Sequence, residues 1–402
     1  MTLRRLSTGE FIALMAMMFA TTAFSTDAML VALPEIADEL TPLSPNRAQL
    51  IVTSFVFGMG VGTFLTGPLS DRFGRRPVIF ACAALYIASC LGAWLAQSLE
   101  LVLLARVCMG LGAAGPRVVS LAIIRDLYTG REMAKIMSFA MIVFTLVPAV
   151  APMIGAGIIA FTGWRGIFLA FIVFSVLSVG WLGLRQPETL APDHRRGLTA
   201  VEVLAGIRDM FSRQTVVLSI MVQTLTFAML FLHLSTVQPV FDETFGRAAT
   251  FPYWFALISV ISGTASFLNA MIVERFGMRL IILLTLGTQA CIATLVAIIS
   301  TYGLLGEPYF FALYIFWSFT LFAVAGLTLG NVNALAMEPL GHIAGLAASV
   351  IGGVATVGAV LLAAPIGLMF DGTPTPIALA VMVASACGCV LIRRVKRPGE
   401  ED

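Results

Sequence analysis

The amino-acid sequence predicts an all-α polytopic membrane protein in which twelve transmembrane helices form two six-helix bundles. Composition is the first ground: 59% of the 402 residues are hydrophobic and only 11% are charged, whereas a soluble protein is about a quarter charged. The second is a series of apolar runs, each near the roughly 20 residues that a helix needs to cross a bilayer. The third is a polar stretch close to the midpoint, with a short motif echoed on either side of it. Disorder is excluded as well, because disordered chains are rich in charge and poor in aromatics.

In chain order the apolar runs lie near 10–34, 48–69, 77–97, 101–124, 136–160 and 166–184, then 214–238, 253–273, 281–302, 309–335, 346–370 and 376–392. Their connections are short, as hairpins in a helical bundle require. The exception is 185–213, which reads RQPETLAPDHRRG and then RDMFSRQ. The chain therefore divides into a bundle at 1–184, a linker loop at 185–213, and a bundle with a short tail at 214–402. The opening MTLRRL has the flavour of a secretory signal, but the apolar run after it continues through Asp27 to Leu33. That is too long for a signal core, so it is read as the first span.

Basic residues are retained on the cytoplasmic side of a membrane. With the N-terminus inside, the inner segments hold Arg4, Arg5, Arg72, Arg75, Arg76, Arg125, Arg131 and Lys135, then Arg185, Arg195, Arg196, Arg208 and Arg213. They also hold Arg275, Arg279, Arg393, Arg394, Lys396 and Arg397, while the outer loops hold only Arg47, Arg165 and Arg247. Both termini and the linker are thus expected in the cytoplasm. Arg106 and Arg117 fall within the fourth span. The six cysteines all lie in apolar runs without metal-ligand spacing, which makes them small core residues and leaves no metal site expected.

The sequence also repeats itself. GPLSDRFGRRP at 67–77 follows the second span, and VERFGMRL at 273–280 follows the eighth. Arg72-Phe73-Gly74 aligns with Arg275-Phe276-Gly277 in the equivalent loop. A fainter echo links Ala151-Pro152-Met153-Ile154-Gly155 in span five with Ala364-Pro365-Ile366-Gly367 in span eleven. Two like halves joined by a loop form a parallel repeat, an arrangement found in transporters.

On these residues the chain resembles the major facilitator superfamily over essentially its whole length. Gly67-Pro68-Leu69-Ser70-Asp71-Arg72-Phe73-Gly74-Arg75-Arg76 is similar to that superfamily's loop 2–3 signature. Leu104-Ala105-Arg106-Val107-Cys108-Met109-Gly110-Leu111-Gly112 resembles the fourth-helix Arg motif of its proton-coupled exporters. Pro148, Pro152 and Gly155 resemble the antiporter motif, with Ala151 and Ala156 departing from its usual form. Thr26-Asp27-Ala28-Met29-Leu30-Val31-Ala32-Leu33-Pro34 is similar to helix 1 of the Bcr/CflA-type drug-resistance exporters. The resemblance implies a drug:proton antiporter driven by the proton gradient without a cofactor. It implies a functional monomer that handles a small-molecule substrate and protons among membrane lipids, with no nucleic-acid partner. In the family, the equivalents of Asp71, Arg75 and Asp126 belong to a cytoplasmic lock.

Asp27 is the only acid placed within a span, and a charge there is a functional candidate by default. Counting 1.5 Å per residue puts Asp27 roughly 25 Å and Arg106 roughly 27 Å above the same inner boundary. Arg106 is therefore the expected partner: burial favours a protonated carboxyl, a nearby guanidinium the ionised one, and relative movement would switch proton affinity. Phe24, Met29 and Met59 are candidate pocket walls, since Met and aromatics repack around varied ligands. Gln223, His233 and Asn331 are candidate pocket polar groups in the second half. A lone His in a span is more often a satisfied interhelical hydrogen bond, and Arg117 is expected to snorkel to the cytoplasmic interface. Pro148 and Pro152 each remove a backbone donor and should bend the fifth span.

Two other functions compete with export. A proton-coupled importer of a sugar or organic acid has the same fold, but a sugar pocket needs many polar groups and an organic-acid pocket needs cations. An intramembrane enzyme lacks support: no H-E-x-x-H, G-x-S-x-G or Walker A sequence occurs.

Overall fold

The computed structural model describes residues 6–195 and 200–395. Arg4, Arg5, Arg196, Lys396 and Arg397, counted above for orientation, lie outside the described residues. In chain order the α-helices are α1 (Thr8–Asp27), α2 (Leu33–Leu40), α3 (Leu50–Phe73), α4 (Arg75–Leu95), α5 (Leu99–Leu127), α6 (Gly130–Thr162) and α7 (Gly166–Arg185). They continue with α8 (Ala200–Ser212), α9 (Gln214–Pro239), α10 (Phe251–Phe276), α11 (Met278–Tyr302), α12 (Glu307–Met337), α13 (Ala344–Gly367) and α14 (Thr375–Arg394). Among the described residues twelve of these helices are 20 to 33 residues long, enough to cross a bilayer. The two short ones are α2, with 8 residues, and α8, with 13.

Sequence chemistry sets the ends. Ser7 caps α1 by accepting the Glu10 N–H at 3.2 Å, and Ser98 caps α5 by accepting the Leu101 N–H at 3.5 Å. The first span was expected to run unbroken over 10–34. Instead α1 stops at Asp27, and the chain tightens into a 3-10 turn at Leu30–Ala32 before α2. Pro34 accounts for this, since its ring and missing N–H disfavour an α-helix through the preceding turn by about 3 kcal/mol. The apolar stretch Glu307–Gly367 holds two spans, α12 and α13, parted at Leu340, whose φ of −114° and ψ of 21° leave the helical range. The linker is also more than a loop. It contains α8, where Gly206 lies against Leu346 of α13, and a Cβ there would sit 2.6 Å from Leu346 Cδ2.

The chain forms two compact units. One comprises residues up to Leu43 with Ser54–Glu202, and the other comprises Ser44–Thr53 with Val203 onward. Residues 44–53, expected in the first half, thus group with the second; there Asn46 Nδ2 donates to the carbonyls of Leu368 and Phe370 at 3.2 and 2.6 Å, capping the end of α13.

Within the first unit α1 is the interior helix. Of its apolar window 89% is buried, against 17% for α10, and Thr21, Thr22, Ser25, Thr26 and Asp27 of α1 are held inside protein. Helix α5 packs tightly on two sides because glycines line both. A Cβ at Gly110 would lie 2.0 Å from the Phe55 carbonyl oxygen of α3, and one at Gly112 2.6 Å from the Cys82 carbonyl oxygen of α4. The repeat read from the sequence has a counterpart in shape. Gly74 and Gly277 open α4 and α11 at φ +101° and +77°, values that favour glycine. The Arg72 guanidinium lies 5.3 Å from the Phe73 ring, and Arg275 lies 5.4 Å from the Phe276 ring.

Candidate functional site

Asp27 is the last residue of α1 and is 5% exposed. Helix α6 closes on it from one side. Gly155 lies so near the turn after Asp27 that a Cβ would meet the Ala28 carbonyl oxygen at 2.6 Å and Val31 Cγ2 at 2.9 Å. The antiporter-like motif therefore packs beside Asp27, within one continuous helix that also carries Pro148 and Pro152.

Arg106 is fully buried on α5. Its Nη2 donates to the Ser25 carbonyl oxygen at 3.1 Å, and its guanidinium carbon stands 4.4 Å over the Phe55 ring. Ser25 Oγ in turn bonds the Thr21 carbonyl at 2.6 Å and the Tyr86 hydroxyl at 2.5 Å. Four helices, α1, α3, α4 and α5, thus meet around one guanidinium. The expected Asp27–Arg106 ion pair is not formed among the described residues. The reason lies in where α1 ends. Carbonyls in the last turn of a helix lack intrahelical donors and carry its partial negative charge, so Ser25 offers Arg106 a preformed acceptor. The two residues do lie at similar depth, but their side chains take different surroundings.

At the other end of the same unit lies the loop signature. Arg75 forks onto Asp126, with Nε to Oδ2 at 3.0 Å and Nη2 to Oδ1 at 3.3 Å, and its Nη1 reaches Asp71 Oδ1 at 2.5 Å and Ser70 Oγ at 2.9 Å. Asp71, Arg75 and Asp126 are therefore brought together in one hydrogen-bonded cluster. Arg76 Nη2 donates to the Gly183 carbonyl at 2.6 Å, and Gly67 accepts from Ser70 Oγ at 2.9 Å. Arg72 is absent from this cluster and lies over Phe73 instead.

Glu188 completes the cluster and was missed in the sequence. Its carboxylate accepts the backbone N–H groups of Arg75 and Arg76 at 2.9 and 3.0 Å, and those of Thr189 and Leu190 at 3.0 and 3.1 Å. Thr189 Oγ1 also donates to Asp126 Oδ2 at 2.8 Å. Burial pushes the Glu188 carboxyl up, but the four N–H donors outweigh it and hold it below the usual glutamate range. A signal was present: α4 begins at a glycine with no side chain to cap it, so its first N–H groups needed an anion from elsewhere.

The remaining candidates scatter. Phe24 packs on α7, with ring centroids 5.2 Å from Phe171 and 5.4 Å from Phe174, while Met29 is fully buried and Met59 is 6% exposed. In the second unit Asn331 exchanges hydrogen bonds with Asn269 at 2.7 and 3.4 Å and donates to the Leu327 carbonyl, which ties α10 to α12. Gln223 is buried with no hydrogen-bond partner for its side-chain oxygen among the described residues. His233 corrects an expectation. Instead of an interhelical hydrogen bond it has an aromatic box of Tyr314, Trp317 and Phe322, with centroids 5.9, 5.3 and 5.5 Å away, and neither ring nitrogen finds a partner among the described residues.

Known proteins share this architecture. The family model described as Major Facilitator Superfamily matches residues 12–392. A bicyclomycin resistance protein homolog of Haemophilus influenzae is 29% identical over 284 residues, covering 70% of this chain and 71% of that protein. The multidrug resistance protein MdtL of Shewanella oneidensis is 29% identical over 332 residues, covering 81% and 80%. Among solved structures, the partially occluded inward-open form of the E. coli xylose transporter XylE aligns with a TM-score of 0.74 at 14% identity. It covers 98% of this chain and 99% of that one, a likeness that carries the fold alone.

Proposed function

The chain belongs to the Major Facilitator Superfamily, and on that premise we propose that it exports small lipophilic drugs, phenicol-like or monovalently cationic, in exchange for protons by alternating access. The names borne by its bicyclomycin-resistance and multidrug-resistance relatives support drugs as cargo. One observation carries the coupling: Asp27 is a carboxylate on the most buried helix of its unit, 5% exposed and, among the described residues, without an ion-pair partner. A charge so placed in a span is costly unless its protonation or its partner changes during function. In this reading Asp27 carries a proton in one state and substrate in the other, releasing the proton to water as substrate binds. Arg106, anchored two residues away on Ser25, holds the end of α1 that carries Asp27.

The cluster of Asp71, Arg75, Asp126 and Glu188 serves as a cytoplasmic lock that holds α3, α4, α5 and the linker together until transport opens it. The protein resides in a bacterial inner membrane as a functional monomer, with both termini and the linker cytoplasmic, the side that the arginine bias favours. It needs no cofactor. The importer reading is weaker because a sugar pocket needs many polar groups and Asn331, a candidate pocket polar group, is engaged by Asn269.

The test is drug accumulation in an efflux-deficient bacterium expressing the wild type or Asp27→Asn, with and without a proton uncoupler. The wild type should lower accumulation of a phenicol or a lipophilic cation, and either the uncoupler or Asp27→Asn should abolish that effect at equal expression. Accumulation that rises, or stays unchanged across a broad drug panel, would overturn the export reading.

A further inference from the structure

The sequence placed Arg117 in contact with the nearer membrane interface, but its side chain runs the other way. Arg117 stands nine residues before Asp126 in α5, about 14 Å along the helix, while Met59 stands twelve before Asp71 in α3, about 18 Å. Arg75 binds both Asp71 and Asp126, so these distances share one baseline. Arg117 Nη1 contacts Met59 Sδ at 3.6 Å, so the guanidinium points away from the near end of the helix and toward its middle. This follows from chain direction: Cβ bonds tilt toward a helix N-terminus, which for α5 is the far end. Arg117 also lies eleven residues after Arg106, three turns on and on the same face of α5.

A thioether is a weak acceptor for a group with five N–H donors. Four arginines at or near helix ends are matched to acids: Arg75 to Asp126, Arg165 to Glu39, Arg185 to Glu10 and Arg247 to Glu307. Among the described residues no ion pair includes Arg117, which is partly exposed. A permanently charged, partly accessible cation this deep in a span calls for an anion, and the described residues supply none in an ion pair.

We infer that Arg117 is a binding residue for an organic anion, so that the cargo of this transporter includes amphiphiles bearing a carboxylate or a comparable acidic group. Met59 forms the apolar side of that contact, and the planar guanidinium suits a two-oxygen acid. This rests on the transporter reading but not on export or on Asp27.

Purified full-length protein would be tested for binding of nalidixate, a lipophilic carboxylate, and of its uncharged ethyl ester by equilibrium dialysis, in chloride and in gluconate buffer. Arg117→Gln should weaken nalidixate binding about tenfold or more and leave the ester within about twofold, since only the acid loses a charge-assisted bond. Arg117→Lys keeps the charge and should retain preference for the acid, which separates ligand loss from misfolding. Equal weakening of acid and ester, no weakening of either, or an Arg117-dependent response to chloride alone would overturn the assignment. In Asp27→Asn the nalidixate preference should persist even where proton-driven export is lost, so failure of the export reading is distinguishable from failure of this one.

Discussion

The guanidinium of Arg106 donates to the backbone carbonyl of Ser25 at 3.1 Å, two residues short of the Asp27 carboxylate at which α1 ends. Two charges at similar depth thus form no pair with each other, because Arg106 donates through Nη2 to the open end of a helix instead. That separation gives the carboxylate and the guanidinium different surroundings.

Stability should therefore depend on Arg106 and not on Asp27. Arg106→Ala leaves the Ser25 carbonyl without its donor and removes the cover over Phe55, which should cost about 2–4 kcal/mol. Asp27→Asn should cost little, and a double-mutant cycle between the two should give a coupling below about 0.5 kcal/mol. Thermal unfolding of the four purified proteins measures this, and a coupling of several kcal/mol would mean that the pair forms after all.

The approach of α5 to α3 should tolerate no added methyl group. Gly110→Ala places a Cβ 2.0 Å from the Phe55 carbonyl oxygen, a rigid backbone atom, and should destabilise by about 3 kcal/mol or prevent folding. A Cβ added at Gly92, also helical, would have nothing within 4 Å, so Gly92→Ala should be neutral or stabilise by about 0.5–1 kcal/mol. Expression and thermal stability of the two alanine variants give the comparison.

Acid should loosen the linker through Glu188. Its carboxyl is held below the ordinary glutamate value of 4.5, so the ionised form contributes stability fully above that value. The contribution falls as pH drops through the lowered folded value, and below it both states carry the proton. The difference in linker proteolysis between wild type and Glu188→Gln should accordingly be constant near neutrality and vanish in strong acid. A difference that grew on acidification would contradict the capping role.

The Asn269–Asn331 pair should behave as structure. Asn331→Ala strands the Asn269 amide and should cost about 1–3 kcal/mol, whereas removing both side chains should cost less than the sum of the two single changes. Drug accumulation in cells should stay near the wild-type level once expression is matched. Selective loss of one drug in Asn331→Ala would instead restore this residue to the pocket.

Much of this molecule is legible in one dimension. Span lengths, the basic loops and the Arg-Phe-Gly repeat depend on composition and local order, and the helices lie close to where hydropathy puts them. The Asp71–Arg75–Asp126 cluster was accessible through its motif, because adjoining helix ends leave few choices of partner. What the linear order does not encode is the rotation of each helix about its axis and the direction of each long side chain. Those are set by glycine contacts such as Gly110 on Phe55 and Gly155 on Ala28, in which atoms distant in the chain exclude or admit one another. That is why Arg106 was expected on Asp27 and lies on Ser25, why Arg117 points to mid-span, and why Glu188 caps a helix that begins more than a hundred residues earlier.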